Sequence, residues 1–206
     1  MRTCIPGTLL PLTEESRTHA FSVLEPVFAV SGGGLQLSQL TEMTGLSAST
    51  IQNWVKRGWV SKPVNKKYGP LQVARILLIN LLRPAMQLDK IAALLAYVNG
   101  SVDDRADDII PEPELYDLVC AGILQLEDLR EIRHESVITL IGAQLEGYEG
   151  PVPGAKARLA DALAVMLLNI AAATLMQQAD AIFQRIGTPP NPPEAAGGSA
   201  THVVSI

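Results

Sequence analysis

The spacing of hydrophobic and polar residues changes several times along the chain, and each change marks a predicted element. Residues 1–12 are punctuated by Pro6, Gly7 and Pro11, which predicts an extended arm. Thr13 to Leu24 predicts a short helix stopped by Pro26. Ser31-Gly32-Gly33-Gly34 reads as a joint, because no further Gly or Gly-Lys-Ser stands at the spacing a phosphate-binding loop needs. Leu40 and Met43 then recur at helical spacing, with Ser38 as the expected N-cap and Gly45 at the left-handed end position. Ser47 is placed to cap a second helix, Ala48 to Arg57, which ends at Gly58. Two short helices joined by a Gly-Leu-Ser turn predict a helix-turn-helix.

Trp59-Val60 reads as a short extended piece, and residues 62–68 as a hairpin loop rich in turn formers and lysine. Pro70 suits the first turn of a helix running from Leu71 to Leu82, where Arg83-Pro84 stops it. A further helix is expected from Leu88 to Val98, before Asn99-Gly100. An acidic loop follows, then helices near Glu112–Leu124 and Leu126–Leu145, and a second joint at 149–154. Ala155 to Ile186 contains no Gly or Pro and predicts a helix of roughly 45–50 Å at 1.5 Å per residue. From Gly187 onward, paired prolines predict a disordered tail. The expected class is mainly α: an arm at 1–34, a winged helix-turn-helix domain with a small β-hairpin wing at 35–100, a helical dimerisation or sensing region at 101–187, and a tail at 188–206.

Charge sharpens this reading. The 206 residues carry a formal net charge of −5, which alone argues against a polyanionic partner. From Met43 to Leu88, however, the charged residues are Lys56, Arg57, Lys62, Lys66, Lys67, Arg75 and Arg83, with no Asp or Glu. A polyanion is gripped by a local patch, so the acid-free window outweighs the average. Within helix 48–57, Ile51, Trp54 and Val55 form an apolar stripe, while Ser49, Gln52, Asn53 and Lys56 share a polar face free of acid. Asn and Gln can make paired hydrogen bonds to adenine, and Lys serves guanine or phosphate. The bland alternative is a solvated helix face, but such faces usually mix both charge signs. Lys62, Lys66 and Lys67 would reach flanking phosphates, and Tyr68 would either touch the DNA backbone or brace the wing. The candidate DNA-binding set is Ser47, Ser49, Thr50, Gln52, Asn53, Lys56, Arg57, Lys62, Lys66, Lys67 and Tyr68, with Arg75 and Arg83 as weaker phosphate candidates.

Leu40-Thr41-Glu42-Met43-Thr44-Gly45-Leu46-Ser47-Ala48-Ser49-Thr50-Ile51 resembles the opening of MerR-type regulators, and Lys56-Arg57-Gly58-Trp59-Val60 with Lys67-Tyr68 is similar to their helix end and wing. More closely, Ile51 to Gly58, Ala74 to Asn80, Asp107-Asp108-Ile109-Ile110 and Leu115-Tyr116 resemble the bacterial family catalogued as domain of unknown function 1836, over about residues 37–120. The resemblance implies a MerR-like winged helix-turn-helix fold and sequence-specific binding to double-stranded DNA. MerR proteins usually place Arg near the positions of Ser49 and Gln52 and a Tyr pair at Asn53 and Trp54, so different DNA contacts are expected here.

Other chemistry is weak. Asp103-Asp104-Arg105-Ala106-Asp107-Asp108 contains a metal–diphosphate-like string, but no second acidic motif faces it, and a solvated loop is the simpler reading. His134-Glu135 is not followed by a His at 138, which is Ile138. No nucleophile motif, metal cluster or cofactor signature stands out, so a non-enzyme without cofactor is expected. Cys4 and Cys120 lack nearby partners and the N-terminus lacks a signal-peptide core, which together predict a cytoplasmic protein with free thiols. Helix 155–186 is apolar nearly all round. It is short for a bilayer between Asp161 and Asp180, so burial against residues 112–145 and a second copy is preferred to a membrane span. A homodimeric DNA-binding regulator is therefore expected, with a small-molecule effector conceivable. The alternative is a protein–protein adaptor that retains the helix-turn-helix without binding DNA.

Overall fold

The computed structural model describes residues 3–128 and 132–187. The arm closes on itself, with Cys4 and Pro11 bridged and the Leu12 N–H donating to Thr3 O at 2.9 Å. It then docks: the Leu9 N–H donates to Met43 O at 2.8 Å and Asn80 Nδ2 donates to Gly7 O at 2.8 Å. Gly7 has φ +79°, and a Cβ there would come within 3.0 Å of the Leu77 carbonyl, so this close approach requires glycine. Residues 13–24 do not form the single helix expected. They make two 3₁₀ turns, Glu15–Arg17 and Ser22–Leu24, and lead into α1, Glu25–Val30. Pro26 lies in the first turn of α1, where its missing N–H leaves no helical bond unmade, so it starts a helix rather than stopping one.

A two-residue strand β1, Leu35–Gln36, pairs antiparallel with β2, Lys67–Tyr68, with Leu35 opposite Tyr68. Helix α2, Leu37–Thr44, starts one residue before Ser38; Gln36 precedes it, and its N–H donates to Gln39 Oε1 at 2.8 Å. Gly45 ends α2 at φ +70°, as the sequence implies. Ser47 caps α3, Ala48–Lys56, by accepting the Thr50 N–H at 3.2 Å. Trp59 and Val60 lie in a bend rather than an extended piece. Helix α4, Pro70–Leu82, is buried from Val73 to Leu82 apart from Asn80, so it is the central strut rather than a surface helix.

Helix α5, Leu88–Asn99, ends in a buried amide. Asn99 Nδ2 donates to Ile110 O at 2.6 Å, while its Oδ1 accepts the N–H groups of Ile109 and Ile110, which pins the acidic loop at its far end. Helix α6, Glu112–Asp128, runs past the boundary expected at Leu124, and α7, His134–Gln144, starts eight residues after the expected Leu126. The one apolar residue of the stretch from Leu126 to Asp128, Leu126, continues the buried face of α6 rather than opening the next helix.

Helix α8 spans Ala155–Gly187. Leu159, Ala162, Leu163, Met166, Leu167 and Ile170 form its buried stripe in the same hydrophobic cluster as Ile5, Trp54 and α4. Fully burying each large side chain of this kind contributes about 1.5–3 kcal/mol. The described chain divides into two units, the first ending at Thr174 and the second beginning at Leu175. In the second unit Leu175, Met176, Ile182, Phe183 and Ile186 are all exposed. By length and composition α8 is the one described helix that meets the requirement for crossing a membrane. The tail expected at 188–206 lies outside the described residues.

Candidate nucleic-acid interface

Helix α3 separates its faces as its sequence period requires. Ile51 and Trp54 are buried, while Ser49, Gln52, Asn53 and Lys56 are exposed side by side along the opposite face. At the N-terminus of α3 three hydroxyls meet: Ser47 Oγ lies 2.9 Å from Ser49 Oγ and 2.8 Å from Thr50 Oγ1. They gather donors and acceptors at the positive end of the helix dipole, next to the face bearing Gln52 and Asn53. At the other end the exposed Arg57 guanidinium lies over the Trp59 ring, 5.0 Å from its centre, a cation–π contact.

The hairpin is tight. Val64 and Lys67 exchange backbone hydrogen bonds of 3.0 and 2.9 Å, leaving only Asn65 and Lys66 in the loop. Both are left-handed, with φ of +50° and +63°, as a type I′ turn demands. Lys66 is exposed at the tip and Lys62 at the base.

Two of the expected contacts turn inward. Lys67 Nζ donates to Ser31 O at 2.6 Å, at the C-terminal end of α1, so its ammonium is already engaged. Tyr68 is 3% exposed in the core opposite Leu35, and burial pushes its hydroxyl up from the ordinary range. Of its two expected roles, the one this placement permits is bracing the hairpin.

Arg75 requires a correction. It is 5% exposed and faces no solvent phosphate; its Nε donates to Trp59 O at 2.7 Å and its Nη1 pairs with Glu112 at 3.1 Å. Arg105 joins the network through Glu112 at 3.1 Å and Asp108 at 3.4 Å. Burial lowers the Arg75 pKa, and the Glu112 carboxylate opposes that shift. The network ties the segment after α3 to the start of α6. Glu112, the partner that sequence reading missed, carries no periodic signal of its own. The usable clue was Arg75 itself, an arginine between Ala74 and Ile76 on a helix apolar all round.

Arg83 differs. It is exposed and lines a hollow with Thr50 and Trp54, close to the N-terminal end of α3. Beyond the other end of α3, a cleft of about 640 Å³ brings Lys56 and Lys62 together with Gln72, and Asp103 and Arg105 of the acidic loop form its far wall.

Comparison with known proteins places this arrangement within a recognised segment. Residues 24–119 match Domain of unknown function DUF1836. The DUF1836 segment contains all eleven candidate DNA-binding residues and both Arg75 and Glu112. Helices α7 and α8 lie beyond it. The uncharacterized protein YkrK of Bacillus subtilis (strain 168) is 34% identical over 94 residues, which is 44% of this chain and 40% of the relative. The chain thus spans less than half the length of that relative. No solved structure matches the chain.

Proposed function

We propose that this protein is a sequence-specific DNA-binding transcription regulator, with residues 35–100 acting as a MerR-like winged helix-turn-helix. The carrying observation is the exposed acid-free face of α3, where Ser49, Gln52, Asn53 and Lys56 lie together. In this reading α3 enters the major groove. Gln52 and Asn53 read base edges, and Lys56 and Arg57 reach guanine or phosphate. Lys62 and Lys66 on the hairpin, and Arg83 beside the α3 N-terminus, hold flanking phosphates and set register without reading sequence. Ser47 and Thr50 shape the N-terminus of α3, whose remaining backbone N–H groups favour a phosphate. The Arg75–Glu112 pair serves from beneath, because Arg75 holds the Trp59 carbonyl just past α3.

The regulator is proposed to act as a homodimer. The exposed Leu175, Ile182 and Ile186 recur at intervals of seven and four residues along the end of α8, with Ala179 between them, a pattern that pairs helices side by side. A two-fold pair of modules would then meet two half-sites about one helical turn apart. Selection from a random duplex pool tests the whole reading. The expected product is a two-fold symmetric site with half-sites spaced by about 10 base pairs. Failure to enrich any sequence, combined with no binding to random duplex at low salt, would sink the DNA-binding reading and leave the adaptor reading in its place.

A further inference from the structure

Away from the α3 face, α6 and the end of α7 border a cleft of about 330 Å³, with Thr18 and His19 of the N-terminal segment at its rim. Glu114, Asp117, Leu118 and Ala121 succeed one another at intervals of three, one and three residues, so one face of α6 forms its longest wall. Leu118, Ala121 and Leu145 make the wall apolar, while the two carboxylates stand at one end. Among the described residues, no lysine or arginine lines it.

Asp117 is held in place by a backbone donor. Its Oδ1 accepts the Phe21 N–H at 2.7 Å, which fixes the carboxylate without bringing a full positive charge. Burial raises its pKa; the Phe21 hydrogen bond and His19 oppose that rise, and Glu114 adds to it. Gln144 is packed into the cleft wall. Its Nε2 donates to Leu118 O at 3.3 Å, and its Oε1 is buried without a hydrogen-bond partner. That oxygen is closed off from solvent, so the groups open to a ligand in the cleft are the two carboxylates. Tyr148 offers no spare proton, since its hydroxyl already donates to Ile109 O.

The cleft therefore presents acceptors and negative charge at one end and apolar surface beside them. We propose that it is a binding site for a small organic ammonium: the charged nitrogen at Glu114 and Asp117, its N–H groups donating to their carboxylates, and its apolar body against Leu118, Ala121 and Leu145. The volume is at the small end of the range for ligand sites, which suits a compact amine. A hard divalent cation fits less well. It takes six or more oxygen ligands, and no group of three or more metal-holding side chains occurs among the described residues. An anion would meet two carboxylates. The site stands independently of the DNA-binding reading, since no residue of the α3 face or hairpin lines it.

Calorimetric titration of the full chain with phenethylamine, without DNA, tests the proposal. The expected result is saturable binding with one site per chain. 2-Phenylethanol, of the same shape but uncharged, should bind at least tenfold more weakly. Glu114→Gln, at an exposed position, should weaken amine binding severalfold, and Ala121→Trp should abolish it by filling the cleft, with circular dichroism confirming that both variants remain folded. The proposal is overturned if the folded chain takes up no amine at millimolar concentration, or if amine and alcohol bind alike. It is equally overturned if the two variants bind as the parent does, or if magnesium ion displaces the amine competitively.

Discussion

The exposed face of α3 and the buried contact between α4 and α6 draw on the same basic stretch, Met43 to Leu88, and use it in opposite ways. On and around the first, Lys56 and Arg57 at the end of α3, Lys62 and Lys66 of the hairpin and Arg83 after α4 stand exposed. At the second, Arg75 is buried against Glu112; elsewhere, on the hairpin, Lys67 is likewise turned back, onto Ser31 at the end of α1. A charge tally along the sequence treats all seven alike. Only burial separates a cation available to a polyanion from one that pins two helices together. The comparison also assigns different costs to error: a lost surface cation weakens long-range attraction, whereas a lost buried partner leaves an uncompensated charge in the core.

The largest expected effect is therefore in the interior. Glu112→Ala leaves the buried Arg75 without its carboxylate, while the exposed Arg105 keeps Asp108, and should lower unfolding stability by about 3–5 kcal/mol in urea titration. The paired change Arg75→Met with Glu112→Leu should recover most of that loss, because the apolar pair needs no desolvation. A cost below about 1 kcal/mol for Glu112→Ala would mean the pair does not hold α4 to α6.

On the α3 face the expected effects move to recognition. Asn53→Ala should cost about 1–3 kcal/mol in binding to the selected site and relax preference at one base position, measured by competition between site variants. Its exposure means stability should change by no more than about 0.5 kcal/mol. A variant that unfolds the domain without altering base preference would instead place Asn53 with the structural residues.

Lys66→Gly divides the two kinds of effect within one residue. Lys66 is a non-glycine residue at φ +63° beside Asn65, so glycine removes a left-handed penalty and should add about 1 kcal/mol of stability. The same change deletes a proposed phosphate contact and should reduce the salt slope of DNA binding by about one. Stability and affinity moving together would contradict this assignment.

The smallest effect concerns Asp117. Its folded pKa is raised, so the folded state holds the proton more tightly than the unfolded state. Stability should then fall as pH rises from the ordinary aspartate range through the raised folded value. Asp117→Asn, which keeps an oxygen for the Phe21 N–H, should be slightly more stable than the parent at neutral pH, with the advantage vanishing in acid. Thermal unfolding at pH 3 and pH 7 checks the sign.

Much of the α2–α3–hairpin geometry was legible in the sequence because it rests on local chemistry. Gly45 and Ser47 punctuate the turn, and the alternation of Ile51 and Trp54 with Gln52 and Asn53 fixes which face is buried. The rest depends on partners distant in sequence. β1 is two residues long and is defined only by Lys67–Tyr68, more than thirty positions away. Pro26 looked like a stop because nothing local shows that a helix begins there. The inward turn of Arg75, Lys67 and Tyr68 needed Glu112, Ser31 and Leu35, none of which announces its contact. The cleft beside Asp117 was invisible for the same reason: it is assembled from residues 18 to 148.

The most direct test of the account is the salt dependence of binding to random duplex DNA, for the parent chain and for a Lys56→Ala, Lys62→Ala, Lys66→Ala variant. The account predicts tight binding near 50 mM salt that collapses toward 200 mM, and a log–log slope shallower by about three per chain in the variant. No binding by the folded parent chain at low salt, or an unchanged slope in the variant, would contradict it.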